Sequence, residues 1–234
     1  ARSSNDMADA VQARIEREAR FASDVSHELR SPITALTAAV EVLDARRSDL
    51  PERTQQALDV VVSQVRRFDH MVMDLLELSR IDAGSTELHR EEVDPHELLP
   101  RISHRYGFGE VPVVIGSTVP TPVRIDKLRF ERILANLLEN AREHGGGAIR
   151  VSVEMDGPRT MVLCVEDAGP GVARGERSRI FERFARGSAA RHRVGTGLGL
   201  ALVAEHAQAH GGEAWVEDRP GGGARFIASF TEAW

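Results

Sequence analysis

Apolar residues recur at helical spacing through the first part of the chain. The steps between them are mostly three and four, which is typical of an amphipathic helix with one apolar face. This first stripe consists of Val11, Ile15, Ala22, Val25, Leu29, Ile33, Leu36, Val40 and Leu43. The segment "RRSDLPER" interrupts it, with Ser48 or Asp49 as a candidate N-cap and Pro51 near the first turn of a second helix.

The second helix has an apolar stripe of its own and should end at Gly84. Its members are Leu58, Val61, Val65, Phe68, Val72, Leu75 and Leu78. Two long helices joined by a short turn form an antiparallel hairpin. Pairing with a second copy would bury both stripes in a four-helix bundle, whereas the alternative is packing on the C-terminal half of the same chain. The length of the stripes favours the homodimer.

Beyond residue 84, short β-like runs alternate with helical segments. The runs are "STELHREEV", "VPVVIG", "AIRVSVEM", "TMVLCVED", "EAWVED" and "ARFIASF", and the helical segments span 95–105, 126–144 and 198–210. This mixture predicts an α+β sandwich, in which helices cover one face of a single sheet. The predicted fold class is therefore multidomain: a helical hairpin that dimerises into a four-helix bundle, followed by an α+β sandwich.

Composition narrows the class of protein. The net charge of -6 argues against a general nucleic-acid binder, and a single cysteine, Cys164, excludes an internal disulfide and fits a reducing compartment. No apolar run is long enough for a membrane span, and no signal peptide is visible. Because the chain opens with helical character, we expect it to be a piece of a longer protein.

The stretch "SDVSHELRSPITAL" combines a histidine, a glutamate and a proline within six positions. At about 100° per residue, His27 falls opposite the apolar stripe and should be exposed. Glu28 could accept a hydrogen bond from one imidazole nitrogen and leave a lone pair on the other, which makes histidine a nucleophile. Ser31 shares this face, and Pro32 should bend the helix. The alternative is an ordinary solvated histidine.

Three further stretches carry residues suited to a nucleotide. Asn136 and Asn140 lie at i and i+4 and share a helix face, and Asp167 stands at the tip of a strand. The glycines of "GTGLGLALV" precede a helix N-terminus, an arrangement that cradles phosphate. Each signal is weak alone, since paired asparagines also occur on polar faces and "DAGPG" also forms ordinary turns.

Taken in order, these stretches resemble the boxes of bacterial two-component sensor histidine kinases. "SHELRSPITAL" resembles the H-box, "NLLENAREH" the N-box, "VEDAGPGV" the G1 box, "RIFERFARG" the F-box and "GTGLGLALV" the G2 box. The opening residues are similar to the closing helix of a HAMP domain. The resemblance implies the end of a HAMP domain at 1–17, a dimerisation and phosphotransfer domain at 18–84 and a catalytic ATP-binding domain at 85–234.

The resemblance also implies autophosphorylation of His27 from ATP and Mg²⁺, transfer to a response-regulator aspartate, and possible regulator phosphatase activity. Catalytic roles fall on His27, Glu28 and Ser31. Nucleotide contacts fall on Asn136, Asn140, His144, Asp167, Gly169, Gly171, Arg183, Gly195, Gly197, Leu198, Gly199 and Leu200, with Asn140 also as the metal ligand. The full-length protein is expected in the bacterial cell membrane through upstream segments, with this portion soluble in the cytoplasm.

Two other functions remain open at this stage. Gyrase-like ATPases share the nucleotide fold but use a glutamate where this chain has Asn136, and an amide cannot accept a proton from water. A catalytically inactive dimeric scaffold is favoured by Glu143, because the family usually has a basic residue there.

Overall fold

The computed structural model describes residues 29, 31–82, 87–185 and 196–231, and its backbone divides into two compact units. The first unit is Ala1–Glu87 and the second is Leu88–Trp234. Among the described residues, no helix combines the length and the apolar character that a membrane span requires.

The first unit is a hairpin of two helices, α1 (31–44) and α2 (Glu52–Asp82), joined by a 3₁₀ turn at Arg47–Asp49. The prediction of Ser48 or Asp49 as N-cap is wrong, because both residues belong to that turn. The first bonds of α2 are made instead by the Pro51 carbonyl, which accepts from the N–H groups of Thr54 at 2.8 Å and Gln55 at 3.0 Å. Pro51 therefore stands immediately before the helix.

Each apolar stripe of the hairpin splits into two rows of seven-residue spacing. One row packs inside the hairpin, where Ile33 contacts Val72 and Leu76 while Val40 contacts Leu58 and Val62. The other row, called here the outer seam, is 38–53% exposed and consists of Leu29, Leu36 and Leu43 on α1 and Val61, Phe68 and Leu75 on α2. Such a period of 3.5 is that of helices that pack side by side in bundles.

The second unit contains seven strands in two sheets. The strands are β1 (Arg90–Val93), β2 (Val113–Ile115), β3 (Val123–Asp126), β4 (Ala148–Met155), β5 (Thr160–Asp167), β6 (Ala214–Asp218) and β7 (Ala224–Thr231). The main sheet has the order β2-β4-β5-β7-β6, with β2 parallel to β4 and the other pairs antiparallel. Strands β1 and β3 form a separate antiparallel pair. The sequence pattern missed β3, which is stabilised by its pairing with β1.

Three helices complete the second unit: α3 (Pro95–Arg105), α4 (Lys127–His144) and α5 (Gly199–Ala209). Asp94 and Asp126 cap the first two of these helices by accepting from His96 and Arg129 backbone N–H groups. Alternate sheet residues such as Met161, Leu163 and Val165 join the helices in one apolar core. The predicted α+β sandwich, with its three helical segments, is confirmed.

A buried histidine links the end of α5 to the start of α4. His210 is 2% exposed; its Nδ1 donates to the His206 carbonyl at 2.8 Å, and its Nε2 accepts from the Asp126 N–H at 3.3 Å. Burial lowers the pKa of His210 below its ordinary value. The positive charges of Arg129 and Arg90 lower this pKa further, whereas the hydrogen bond to the His206 carbonyl and the negative charge of Asp126 oppose the shift. The neutral ring satisfies both hydrogen bonds, whereas protonation would remove the acceptor that the Asp126 N–H uses.

We expect acid to destabilise the second unit through His210. Its folded pKa is lowered, so the unfolded chain takes up the proton first, and stability is lost as pH falls below the ordinary value of 6.5. One such group contributes a slope of at most about 1.4 kcal/mol per pH unit. Urea unfolding between pH 7.5 and 5.5 should show a shallower pH dependence for His210→Gln than for the wild type. The exposed control His96→Gln should keep the wild-type slope, and identical slopes in all three proteins would contradict the assignment.

Candidate nucleotide site

Helix α4 lies beside the start of α5 at Asn136. A Cβ at Gly199 would lie 3.3 Å from the Asn136 Oδ1 atom, a tight contact that the amide would have to shift to relieve. The Asn136 Nδ2 atom is buried and has no hydrogen-bond partner within the described part of the chain. Asn140 follows one turn later and is half-buried. A buried amide donor without an acceptor is costly, which makes this face a candidate for an absent ligand.

The N-terminus of α5 carries no side-chain cap. Leu198, which precedes it, is fully buried and donates its N–H to the Thr196 hydroxyl at 3.3 Å. The preceding Gly197 has a φ of +72° and accepts from the Phe184 N–H at 2.8 Å, which ties the F-box to the G2 box. Uncapped backbone N–H groups and the positive end of the helix dipole favour an anion at this point.

Asp167 ends β5 and is 3% exposed. Its Oδ1 atom accepts from the N–H groups of Gly169 at 2.9 Å and Ala224 at 3.1 Å. No described residue donates to its Oδ2 atom. The carboxylate is therefore held in one orientation with one oxygen left to accept a hydrogen bond.

Glycines let the backbone close around Asp167. A Cβ at Gly145, directly after α4, would lie 2.5 Å from the Asp167 Cγ atom, and one at Gly169 would lie 2.6 Å from the Gly145 Cα atom. A Cβ at Gly223 would collide with the Asp167 carbonyl oxygen, and Gly171, with a φ of +74°, lies next to Gly223. The sequence reasoning missed Gly145, Gly223 and Ala224, although the glycine runs 145–147 and 221–223 were a visible signal.

The predicted residues therefore gather at the two ends of one helical segment. Asp167, Gly169 and the His144 backbone meet at the C-terminal end of α4, and Gly199 meets Asn136 two turns earlier. Eight residues of helix separate Asn136 from His144, a rise of about 12 Å. The two ends of this segment are therefore candidate contacts for the two ends of an extended ligand.

The charged residues near the site are already engaged. Arg183 donates to Glu205 of α5 at 3.2 Å, so the predicted phosphate contact is tied to the G2 helix. The Glu143 carboxylate lies 3.7 Å from the His144 Nε2 atom. Arg142 pairs with Glu139, and its guanidinium lies over the Phe108 ring at 5.6 Å. Among the described residues, no group of three His, Cys, Asp or Glu is arranged to hold a metal ion.

Several predicted residues cannot be compared with the structure. His27, Glu28 and Gly195 lie outside the described residues, as does Gly84. Ser31 is described and is exposed on α1, and Leu200 is half-buried in the first turn of α5.

Two family models match the chain. The model for the "His Kinase A (phospho-acceptor) domain" matches residues 17–84, and the model for the "Histidine kinase-, DNA gyrase B-, and HSP90-like ATPase" matches residues 125–233. Together the two matches cover more than half of the chain, in the order that the boxes predict.

Individual proteins give the same result. The chain is 38% identical over 218 residues to the signal transduction histidine-protein kinase AfsQ2 of Streptomyces coelicolor, covering 88% of this chain and 40% of that protein. It is 38% identical over 219 residues to the histidine-protein kinase/phosphatase MprB of a Mycobacterium species, covering 89% and 42%. The crystal structure of full-length ShkA in complex with AMPPNP superposes with a TM-score of 0.70 at 27% identity, covering 92% and 46%.

The chain belongs to the sensor histidine kinases, as the five boxes predicted. It spans well under half of the length of the curated relatives named above.

We expect Gly145→Ala to damage nucleotide binding. The backbone of Gly145 has a φ of -97°, which alanine tolerates, so the change acts through the 2.5 Å approach of its Cβ to Asp167. A displaced carboxylate should weaken binding of ADP with Mg²⁺ at least about tenfold, which corresponds to about 1.4 kcal/mol. The control is Gly175→Ala, whose Cβ would meet nothing within 4 Å. Calorimetric titration in which both variants bind equally well would contradict the role of the Gly145 approach.

Proposed function

We propose that this chain is the catalytic portion of an ATP-dependent protein histidine kinase, which phosphorylates itself on His27 and then passes the phosphoryl group to a response-regulator aspartate. The observation that carries the proposal is the Asp167 carboxylate, fixed by two backbone donors with its Oδ2 atom left over, at one end of a segment whose other end is an uncapped helix. We further propose the domain limits 1–17, 18–84 and 85–234, with upstream segments of the full-length protein in the membrane.

Asp167 would select the base. A buried carboxylate only accepts hydrogen bonds, so its Oδ2 atom suits the exocyclic amino group of adenine and repels the carbonyl at the same position of guanine. Gly145 and Gly169 hold the carboxylate in place by their close backbone approach, and His144 would line the edge of the base. ShkA, which has the same fold, is described in complex with AMPPNP, an ATP analogue.

The phosphates would lie at the start of α5. Gly197 and Gly199 expose backbone N–H groups there, with Leu198 and Leu200 anchoring the turn, and the Asn136 amide supplies a further donor. Asn140 would supply an amide oxygen to Mg²⁺, which accepts few protein ligands when it also binds phosphates. When bound, Mg²⁺ neutralises charge on the phosphate oxygens. We expect Arg183 to exchange its contact with Glu205 for a contact with phosphate. Gly171 and Gly195 would flank the segment between the G1 and G2 boxes.

The phosphoryl transfer needs a neutral imidazole. The lone pair of one His27 nitrogen attacks the γ-phosphorus, an N–P bond forms, the bond from the γ-phosphorus to the bridging oxygen breaks, and ADP leaves. Glu28 would accept the hydrogen bond of the other ring nitrogen and stabilise the positive charge that develops on the ring. Most of the rate enhancement comes from positioning and from charge stabilisation around the phosphates.

The first test is the variant His27→Gln. Because glutamine has no imidazole lone pair, the variant should incorporate no label from γ-labelled ATP. It should bind ADP with Mg²⁺ as the wild type does, because the nucleotide residues lie in the second unit. Label retained on the variant would place the phosphoacceptor elsewhere.

The outer seam supports a homodimer. Six large apolar residues, exposed in the single chain, repeat every seven positions on both helices of the hairpin. Two copies of such a seam would close a four-helix bundle. This arrangement would also bring His27 of one copy close to the second copy.

We expect Phe68→Glu, at the centre of the outer seam, to convert the dimer to monomers at micromolar concentration, because each copy would bury an unpaired carboxylate. The matched control is Val60→Glu, which is 61% exposed and lies about 100° round the helix from Val61. Sedimentation equilibrium measures both. A Phe68→Glu protein that remains dimeric would show that the outer seam is not the interface.

A second face of α1 suits the response regulator. Ser31, Ala35, Ala38 and Val42 are spaced by three and four, so they share one face, and all four are exposed opposite Ile33 and Val40. Small residues leave space for a partner helix, and the face begins one turn after His27. Ser31 would help to position a water molecule for removal of phosphate from a regulator docked on this face. The name of MprB includes such a phosphatase activity.

Ala38→Arg should reduce phosphoryl transfer to a regulator that accepts phosphate from the wild type by at least about tenfold. The long cation would block close approach of the partner helix. Autophosphorylation should be unchanged, because Ala38 belongs to the first unit and the nucleotide residues belong to the second. Gln56→Arg, which adds the same charge at an exposed position of α2, is the control. Undiminished transfer by Ala38→Arg would assign the docking face elsewhere.

A further inference from the structure

The sheet face opposite the helices of the second unit carries a row of alternating charges. Arg150 on β4 pairs in register with Glu166 on β5, which pairs with Arg225 on β7, which in turn pairs with Glu217 on β6. Above this row lies a cleft of about 310 Å³. It is lined by Arg150, Ser152, Glu154, Glu166, Arg219, Pro220 and Arg225.

The three arginines of this cleft differ in how they are paired. The Arg225 Nε atom lies 3.4 Å from Glu166, and its Nη1 atom lies 4.0 Å from Glu217. Arg150 and Arg219 form no ion pair with any carboxylate in the described part of the chain. The cleft lining contains three arginines and two glutamates, Glu154 and Glu166, so one positive charge is left over.

The donors of these arginines are also buried. The Nε atoms of Arg150 and Arg219 are shielded from solvent and have no hydrogen-bond acceptor among the described residues, whereas the Arg225 Nε atom faces Glu166. Each buried N–H without an acceptor is unfavourable. An anion in the cleft suits these arginines, because guanidinium groups bind carboxylate and phosphate oxygens with pairs of N–H donors.

Cys164 does not supply the missing negative charge. It lies in the next row of the same face, between Ser152 and Ile227, and is 4% exposed. Burial raises the pKa of its thiol, against the opposing effect of Arg225, so the thiol stays neutral at physiological pH. The lining therefore keeps one excess positive charge, which an anion bound in the cleft would neutralise.

We propose that this cleft is a second ligand site, which binds a small molecule carrying a phosphate or carboxylate group between Arg150 and Arg219. Glu154 and Glu166 would accept hydrogen bonds from hydroxyl or ammonium groups elsewhere on the same molecule. The site goes beyond the proposed kinase function and does not require it. It is separate from the nucleotide site, because Glu166 faces the cleft while the adjacent Asp167 faces the helices.

Trp215 provides the measurement. It lies in register with Ile227 on the same face. Its Nε1 atom donates to Glu217 at 2.8 Å, and Glu217 is next to Arg225 in the charged row. Replacing the other tryptophan by Trp234→Phe leaves Trp215 as the reporter. Inorganic phosphate and succinate are titrated separately at constant ionic strength, each with and without saturating ADP and Mg²⁺. The two anions distinguish a phosphate site from a carboxylate site.

We expect saturable fluorescence changes with at least one anion, with and without ADP. Arg150→Gln and Arg219→Gln should each weaken binding at least about tenfold. Arg159→Gln, which removes an exposed arginine from the β4–β5 hairpin, should bind as the wild type does. Arg219 lies in the exposed β6–β7 hairpin, so Arg219→Gln should fold. It therefore still tests the proposal if Arg150→Gln does not fold.

The proposal would be overturned by no saturable response to either anion, or by equal weakening in Arg159→Gln. A response that disappears when ADP is present would also overturn it, because the anion would then be occupying the nucleotide site. A failure of ADP to bind would count against the proposed kinase function. The anion titrations without ADP would still test the second ligand site.

Discussion

The hydrogen bonds that hold the Asp167 carboxylate organise the second unit. One oxygen accepts from Gly169 and Ala224, which joins the end of β5 to the loop that follows it and to the start of β7. The same side chain fills the space that a Cβ at Gly145 would need, so it also sets how closely the end of α4 approaches the sheet. A carboxylate buried to this extent is stable only because backbone donors compensate for its lost hydration. The group that would select the base is thus also the group on which the local packing depends.

A different constraint governs the hairpin. A helix of 31 residues with apolar residues at both i, i+3 and i, i+4 has a wider apolar face than one partner helix can cover. The inner row uses part of that face within the chain and leaves the outer seam exposed. The first unit therefore exposes a row of apolar side chains, whereas the second unit has a continuous core of its own.

The sequence predicted most of the second unit because its elements have strong local signals. The helices at 95–105, 126–144 and 198–210 appear with their predicted limits to within a residue, and the β-like run "TMVLCVED" coincides with β5. Asn136 and Asp167 were chosen as candidate site residues because their neighbours formed boxes in a known order. Short or non-local features were missed. Strand β3 is stabilised by pairing with β1 about 30 residues away, and the closeness of Gly145, Gly223 and Asp167 depends on tertiary contacts that spacing does not record. The N-cap error arose because Ser48 and Asp49 have good capping side chains, but the chain uses them in a 3₁₀ turn.

The central claim is that this chain moves the γ-phosphate of ATP to an imidazole nitrogen. The most direct measurement incubates the protein with γ-labelled ATP and Mg²⁺, then follows the chemical stability of the label on the protein. A phosphorus–nitrogen bond predicts label that is lost in acid and retained in alkali, with at most one phosphate per chain. Label that survives acid would indicate a hydroxyl ester, and release of free phosphate without labelled protein would indicate an ATPase. Either result would contradict the account.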